Sequence, residues 1–364
     1  MDELSFEIDA DIRRAWTPPS WAYFDDAAYA TTRERVFRPS WQLVGHADEA
    51  RVPGKVWPFV LLEGCLDVPL MLVRDRQDEL RCLSNVCTHR GMIVCEHAGV
   101  LAGLRCRYHG RRFALNGSFE SMPEFEGVEN FPAESDHLPR LRLEHWGPFL
   151  FTALEPGTSF EEWIGPVLQR MNWFDLDSLT FDASRSRDYL VEANWALYCE
   201  NYLEGFHIPF VHAGLHEAID YSGYRTELFR YASLQLGIGR GREACFTLPA
   251  SAGDHGESVA GYYFWLFPNL MLNFYPWGLS INVVKPLGVG RTRVSFMTYV
   301  LDPAKLDRGA GAGLDRVERE DETVVELVQK GVRSRLYDRG RYSPARETGT
   351  HHFHRLLAAG LKGP

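Results

Sequence analysis

The sequence predicts an α+β chain of two domains, the first all-β and the second a curved antiparallel sheet combined with a long C-terminal helix. Three observations predict it. From about Trp41 the chain breaks into short β-type runs, Val56–Leu62, Leu70–Val73 and Leu80–Cys82. The turn signals Pro53-Gly54, Glu63-Gly64 and Asp75–Asp78 separate them. Five further runs, Leu228–Leu236, Tyr262–Phe267, Leu270–Tyr275, Leu279–Pro286 and Arg293–Leu301, follow one another as neighbouring strands of an antiparallel sheet do. Leu314–Tyr337 then repeats its apolar residues at helical spacing.

A length of 364 residues suits two domains, at roughly 100–200 residues each. With 45% hydrophobic and 24% charged residues the composition is that of a globular protein. A net charge of −10 argues against nucleic acid as the main partner. No uninterrupted apolar run is long enough to span a membrane, and the acidic start Met1–Glu7 lacks the apolar core of a secretory signal. Seven cysteines, an odd number, suit a reducing cytoplasm where some thiols hold metal better than they suit a disulfide scaffold. The expected location is the cytoplasm.

In chain order, residues 1–38 form a polar arm with one or two short helices, notably around Asp26–Val36. Residues 39–155 form the first domain and 156–364 the second, divided at Glu155-Pro-Gly-Thr158. Ser159–Met171 reads as a helix with the apolar stripe Phe160, Trp163, Ile164, Val167 and Leu168. Phe181–Leu190 is a strand leading into a helix that Asn194 caps. Ala213–Tyr224 reads as a long loop. Asp307–Gly313, rich in glycine, reads as a flexible link.

The first domain contains Cys87-x-His89, sixteen intervening residues, then Cys106-x2-His109. Two cysteines and two histidines are a structural zinc set. Zinc fingers, however, group their cysteines and histidines separately, whereas each pair here is mixed. A Rieske-type [2Fe–2S] centre wants two cysteines on one iron and two histidines on the other, so each loop can supply one ligand to each iron. Cys65, Cys82, Cys95, Cys199 and Cys245, like His46, His97, His137, His145 and the tract His351-His352-x-His354, lack such a pattern and read as structural.

The second motif is Glu200–His212, which holds Glu204, His207 and His212. Imidazoles beside carboxylates suit Fe(II). On a continuing helix Glu204 and His207 would share a face, and Pro209 should end that helix before His212. The late helix supplies a third ligand by periodicity. Its apolar positions Val317, Val324, Val325, Val328, Val332 and Leu336 leave a gap on the buried stripe at Asp321. A carboxylate there is costly unless paired or bound to a cation. It is satisfied either by an Arg or Tyr or, with two histidines seeking a carboxylate, as the third member of a 2-His-1-carboxylate triad. Glu320 and Glu322 are expected to point away into solvent.

On these motifs the chain resembles, over nearly its whole length, the Rieske non-haem iron oxygenases, specifically their catalytic α subunits. The resemblance implies a Rieske domain at 39–155, a helix-grip-like catalytic domain at 156–364, and an arm, 1–38, packing with the latter. It implies a [2Fe–2S] cluster on Cys87, His89, Cys106 and His109, and a mononuclear Fe(II) on His207, His212 and Asp321. The implied activity is that of a terminal oxygenase, which uses O2 to hydroxylate or oxidatively demethylate a small molecule. Electrons would come from a separate NAD(P)H-dependent flavin/iron–sulfur reductase, directly or through a ferredoxin. No Gly-x-Gly-x-x-Gly follows a strand and opens a helix here, and Gly237-x-Gly239-x-Gly241 precedes no helix. The resemblance further implies a homotrimer in which Glu204 bridges His207 to His109 of the partner subunit.

Position 204 carries Glu where most ring-hydroxylating members carry Asp. Together with Glu320-Asp321, Gln329-Lys-Gly331, Tyr337 and Gly340-Arg-Tyr342-Ser-Pro344, this is similar to the branch of choline, carnitine and glycine betaine oxygenases, whose substrates are quaternary ammonium compounds. Tyr262, Tyr263, Phe264, Trp265, Phe267, Phe274, Tyr275 and Trp277 could hold such a cation by cation–π attraction, or pack as core, as any single ring does more often. The rivals are an aromatic-ring or aryl-ether oxygenase, a Rieske electron-transfer protein without catalysis, and a zinc-stabilised structural protein.

Overall fold

The computed structural model describes residues 4–212, 216, 220–240 and 245–363. Most of the loop expected at Ala213–Tyr224, and part of the Gly237–Gly241 stretch, lie outside the described residues. The chain divides into two compact units, Trp41–Pro156 and a second formed by Met1–Ser40 with Gly157–Pro364. In the second unit the N-terminal segment carries helix α1 (Asp26–Thr32), whose first amides are capped by the Asp25 carboxylate. Trp16 bridges to Arg341, and Phe37 meets Trp195 edge to face at 4.8 Å.

The Trp41–Pro156 unit is built from eleven short strands: β1 (Gln42–His46), β2 (Lys55–Leu61), β3 (Val68–Arg74), β4 (Leu80–Ser84), β5 (Gly99–Val100), β6 (Leu104–Arg105), β7 (Arg112–Phe113), β8 (Phe119–Ser121), β9 (Arg140–Leu141), β10 (Leu143–Trp146) and β11 (Phe149–Thr152). They form sheets ordered β5-β2-β3-β4-β9, β1-β11-β10 and β6-β7-β8. The unbroken apolar run of β3 follows from burial on both faces. Met71 and Val73 enter one core with Val56, Leu83, Cys87 and Cys106, while Leu70 and Leu72 enter the other with Leu61 and Leu150.

In the larger unit α2 (Phe160–Arg170) is capped by Ser159, whose hydroxyl accepts from Glu162 N. Of its expected stripe, Phe160, Trp163, Ile164 and Val167 are buried, and Leu168 is exposed. The sheet consists of β12 (Thr180–Val191), β13 (Arg225–Leu228), β14 (Ala232–Ile238), β15 (Val259–Leu266), β16 (Leu270–Tyr275), β17 (Gly278–Gly288) and β18 (Arg291–Val300). Its order is β12-β18-β17-β16-β15-β14-β13, antiparallel throughout. The run Leu228–Leu236, expected as one strand, is a hairpin turning at Phe229–Tyr231, closed by Phe229 N donating to Ala232 O at 2.8 Å.

Register sorts the sheet's side chains. Gln235, Tyr263, Asn273 and Ser280 are paired in a row across four strands. The alternate row, Leu234, Phe264, Leu272 and Ile281, is fully buried and apolar. Facing elements are α3 (Trp195–Tyr202), α4 (Ile208–Val211), α5 (Leu314–Val332) and α6 (Thr348–Lys362).

Two expectations about this half of the chain are corrected. The late helix stops at Val332, because Leu336 is 99% exposed and offers no burial to support further turns. Its fully buried line is Glu318, Val325, Gln329 and Val332, with Val328 exposed. The Asp307–Gly313 link is packed: Ala310 joins a core with Tyr275 and Trp277, and Gly311 lies so close to both rings that a Cβ would clash.

Candidate active site

In the smaller unit, both Cys–His loops close the same way. Gly91 N donates to Cys87 O at 3.0 Å and Gly110 N to Cys106 O at 3.1 Å. Each turn ends on a glycine in the left-handed region, φ +74° and +76°, a conformation that costs glycine little. The loops bring His89 Nδ1 within 3.2 Å of His109 Nδ1 and the Cys87 thiol into contact with that of Cys106. Burial pushes the Cys87 thiol above its ordinary value and the neighbouring thiol adds to it. Two sulfurs paired on one side and two imidazole nitrogens on the other fit a Rieske cluster and not a finger that separates the two ligand types. Asp136 ties the loops together. Its carbonyl accepts from Thr88 Oγ1 at 2.8 Å, and its carboxylate pairs with Arg111, which is 2% exposed and lies over Phe119 at 4.9 Å.

The second centre forms where α3 ends. Helical hydrogen bonding stops at Tyr202, so Glu204 and His207 are not on one helix as expected. The turn through Gly205 still brings Glu204 Oε1 to His207 Nδ1 at 2.7 Å. Pro209 does not terminate a helix but lies in the first turn of α4, where its missing N–H has no partner to lose. One turn of α4 then separates His207 from His212, whose ring centroids are 5.1 Å apart.

Both imidazoles are oriented from behind. His207 Nδ1 faces Glu204, and His212 Nδ1 meets Glu320 Oε2 at 2.8 Å. This leaves both Nε2 atoms converging on Asp321 Oδ1, at 3.6 Å from His207 and 3.0 Å from His212. Asn201 Nδ2 donates to the same oxygen at 2.6 Å. The three ligand atoms lie within 4.8 Å of one another. Burial works to lower the His212 pKa, but Asp321 and Glu320 outweigh it and raise the value. Carboxylates so placed would equally favour a metal cation on Nε2. Glu320, expected in solvent, is instead the carboxylate that aims His212, because helical twist turns it toward the α4 side while Asp321 faces the cavity.

The triad lies in the wall of an open cavity of about 130 Å3. The row Gln235, Tyr263, Asn273 and Ser280 lines its sheet side, with Tyr198, Tyr202, Tyr224 and Tyr275 adding aromatic wall. Of the eight aromatic residues singled out in the sequence, Tyr263 and Tyr275 line this cavity and Trp277 an adjoining one, Phe267 is half-buried away from both, and Tyr262, Phe264, Trp265 and Phe274 are fully buried core. Sequence reasoning missed Glu318, Tyr198, Tyr202 and Tyr224. Only the polar row carried a signal, as polar residues at alternate positions of otherwise apolar strands. The cysteines set aside as structural are buried, apart from the half-buried Cys245. His354 is buried between Tyr342 (2.6 Å) and Glu200 (2.9 Å).

Paired Cys–His loops in one unit, and two imidazoles meeting a carboxylate in a cavity of the other, give two sets of side chains that could each hold a metal. Residues 167–363 match the ring hydroxylating alpha subunit (catalytic domain) family, and residues 40–132 match the Rieske [2Fe-2S] domain. The chain is 33% identical to the choline monooxygenase, chloroplastic, of Arabidopsis thaliana over 98% of its own length and 86% of that protein. It is 30% identical to the carnitine monooxygenase oxygenase subunit of Escherichia coli (strain K12), over 97% of this chain and 96% of that one. Its fold is similar to that of the quaternary ammonium Rieske monooxygenase CntA in complex with L-carnitine, with a TM-score of 0.77 at 23% identity over 99% of both chains. The chain therefore belongs to the Rieske oxygenase alpha subunits. It is an oxidoreductase whose cofactors are a Rieske [2Fe–2S] cluster and a non-haem iron, supplied with electrons by a separate reductase.

Proposed function

We propose that the chain is the terminal component of a monooxygenase acting on a small quaternary ammonium compound. The carrying observation is a tyrosine-walled cavity, with the buried carboxyl of Glu318, that opens on His207, His212 and Asp321. Tyrosine faces and a carboxylate attract a permanent cation. The relatedness to choline and carnitine monooxygenases supports the same reading.

In this reading Cys87, His89, Cys106 and His109 hold the cluster, and His207, His212 and Asp321 hold the iron. The domains are 39–155 for the cluster and 156–364 for catalysis, with residues 1–38 packed on the latter. The metals supply one-electron storage and O2 activation, and overall R–H, O2, two electrons and two protons become R–OH and water. Glu204 and Glu320 fix the tautomer and aim of the two imidazoles, and Asn201 holds the Asp321 carboxylate in place. The tyrosines and Glu318 orient the substrate and keep its reacting carbon at the triad. Electrons come from an NAD(P)H-dependent flavin/iron–sulfur reductase, with or without a ferredoxin.

A homotrimer, with Glu204 next to His109 of the partner subunit, is supported by the exposed Phe206 and Phe210 flanking His207. It is supported also by the CntA relative, for which inter-subunit electron transfer is described. A count of seven cysteines, odd and small for a chain of this length, supports a reducing, cytoplasmic location, and no described helix is long and apolar enough to cross a membrane.

The test is substrate-dependent NADH oxidation with a surrogate reductase on choline, L-carnitine, glycine betaine and benzoate, combined with iron analysis. Three irons per chain and turnover of an ammonium compound are expected. His207→Ala should keep the cluster spectrum and lose turnover, and Glu204→Gln should keep three irons while losing roughly 10–100-fold in rate. Turnover of benzoate alone refutes the substrate class. Two irons in the wild type, unchanged in His207→Ala, refute the oxygenase assignment of the triad.

A further inference from the structure

One charged group in the cavity wall is not used by the iron-binding set. Glu318 lies on α5 one turn before Asp321, a rise of roughly 4.5 Å along the helix axis. It is 5% exposed, lines the cavity, and its carboxylate accepts from the Tyr198 hydroxyl at 2.7 and 2.8 Å. A buried carboxylate with one neutral partner is costly, and burial holds the Glu318 carboxyl well above its ordinary range. A permanent positive charge beside it is the partner that favours its ionised form.

The rest of the wall sets the other end of the ligand. Among the described residues that line the cavity, none is Lys or Arg. The adjoining cavity, which shares Ser280, Phe296 and Leu314 with this one, has two guanidinium groups, and both are engaged. Arg187 pairs with Asp315 at 2.8 Å and Arg185 with Asp307 at 3.0 Å. The iron site brings its own three carboxylates, Asp321 in the triad with Glu204 and Glu320 behind the imidazoles. Gln235 is 1% exposed; its Nε2 donates to Tyr202 O at 2.6 Å and its Oε1 has no hydrogen-bond partner among the described residues. Such an oxygen accepts from a hydroxyl and repels a carboxylate.

We propose that Glu318 is the cation-recognising, specificity-determining residue of this cavity, which takes a quaternary ammonium alcohol and rejects quaternary ammonium zwitterions ending in a carboxylate. A zwitterion would bury its carboxylate in the same cavity as Glu318, with no Lys or Arg among the described lining residues to meet it. An alcohol places its one charge beside Glu318 and the tyrosine faces, and its hydroxyl against the amide row. The inference rests on the quaternary ammonium reading above and narrows it.

The test is calorimetric binding to the iron-loaded holoenzyme of choline, its uncharged carbon isostere 3,3-dimethylbutanol, glycine betaine and L-carnitine. Wild type and Glu318→Gln are compared, the amide keeping an oxygen for the Tyr198 hydroxyl. In wild type, choline should bind about 30-fold more tightly than the isostere, the low end for a buried charge pair. The two zwitterions should bind at least about 10-fold more weakly than choline. Glu318→Gln should lose most of choline's advantage while leaving the isostere's affinity unchanged. The proposal is overturned if the variant keeps that advantage, or if wild type binds either zwitterion as tightly as choline; both outcomes leave the quaternary ammonium reading standing. If no ammonium compound binds or drives NADH oxidation, both fall together. Should the variant fail to load iron, the wild-type ranking decides alone.

Discussion

Glu320→Gln removes the charge behind His212 while preserving side-chain length. In the native chain Glu320 Oε2 meets His212 Nδ1 at 2.8 Å, and His212, 1% exposed, presents Nε2 to Asp321 Oδ1 at 3.0 Å. Losing such an outer partner typically costs 10–100-fold in metal affinity or activity, about 1.4–2.7 kcal/mol. Glu320 keeps 29% side-chain exposure and shares its charge with Arg316 at 3.1 Å, so solvent screening moves the expectation toward the lower bound. The Gln variant should bind the mononuclear iron about 10-fold more weakly, and Glu320→Ala, which also removes the acceptor, about 100-fold. Iron per chain during titration with a chelator, the cluster's electron paramagnetic resonance signal and the turnover rate read this out together. Cluster signal and its two irons should persist while the third iron leaves earlier. Unchanged iron affinity and unchanged turnover in both variants would refute the assignment of Glu320 as the residue that aims His212.

Two further outcomes follow from other parts of the chain. Asp136→Asn leaves the buried Arg111 without its counter-ion and should destabilise the smaller unit by about 3–5 kcal/mol at neutral pH, measured by denaturation of the cluster-loaded protein. Burial pushes the Asp136 carboxyl up, but the Ala133 N–H and the Arg111 guanidinium outweigh it and hold the value below the usual range. Its stabilisation is therefore fully present above the unfolded value of about 3.9 and lost as pH falls through the folded one. The wild-type Tm should accordingly drop more steeply below about pH 4 than that of Asp136→Asn; equal acid slopes would dismiss the pairing as a source of stability. Gly311→Ala drives a methyl group into Trp277 and Tyr275, at a cost of about 1–3 kcal/mol, and should weaken ligand binding in the cavity that Ala310 and Tyr275 line. A variant as stable as wild type would mean that the segment gives way.

Much of this protein was legible because its chemistry is written in local spacings. Cys87-x-His89 and Cys106-x2-His109 each fit within one turn of chain, so the donor set could be read without knowing the fold. His207 and His212 are similarly close, and Asp321 showed as a polar break in a helical stripe. The strand runs were legible from their alternation, except where Phe229–Tyr231 turns within Leu228–Leu236. The end of α3 was not legible, because Tyr202 and Leu203 are compatible with continued helix and only the packing of Glu204 against His207 decides the turn. Pro209 was read as a stop because proline breaks helix interiors, and it proved to begin one.

By itself the sequence determined the two metal motifs, the β-then-mixed order of the domains and the family, since ligand spacing and apolar period are local properties. Tertiary structure decided which carboxylate does what. Glu318, Glu320 and Asp321 lie within one turn of the same helix, and sequence could rank them only by hydrophobic period. Their roles depend on whether each side chain meets Tyr198, His212 or the triad, and α3 and α4, more than a hundred residues upstream, supply those partners. The same holds for the cavity wall, where strand pairing selects Gln235, Tyr263, Asn273 and Ser280 as one face. A carboxylate's function follows from its nearest neighbours, and in a folded chain those are mostly not its neighbours in sequence.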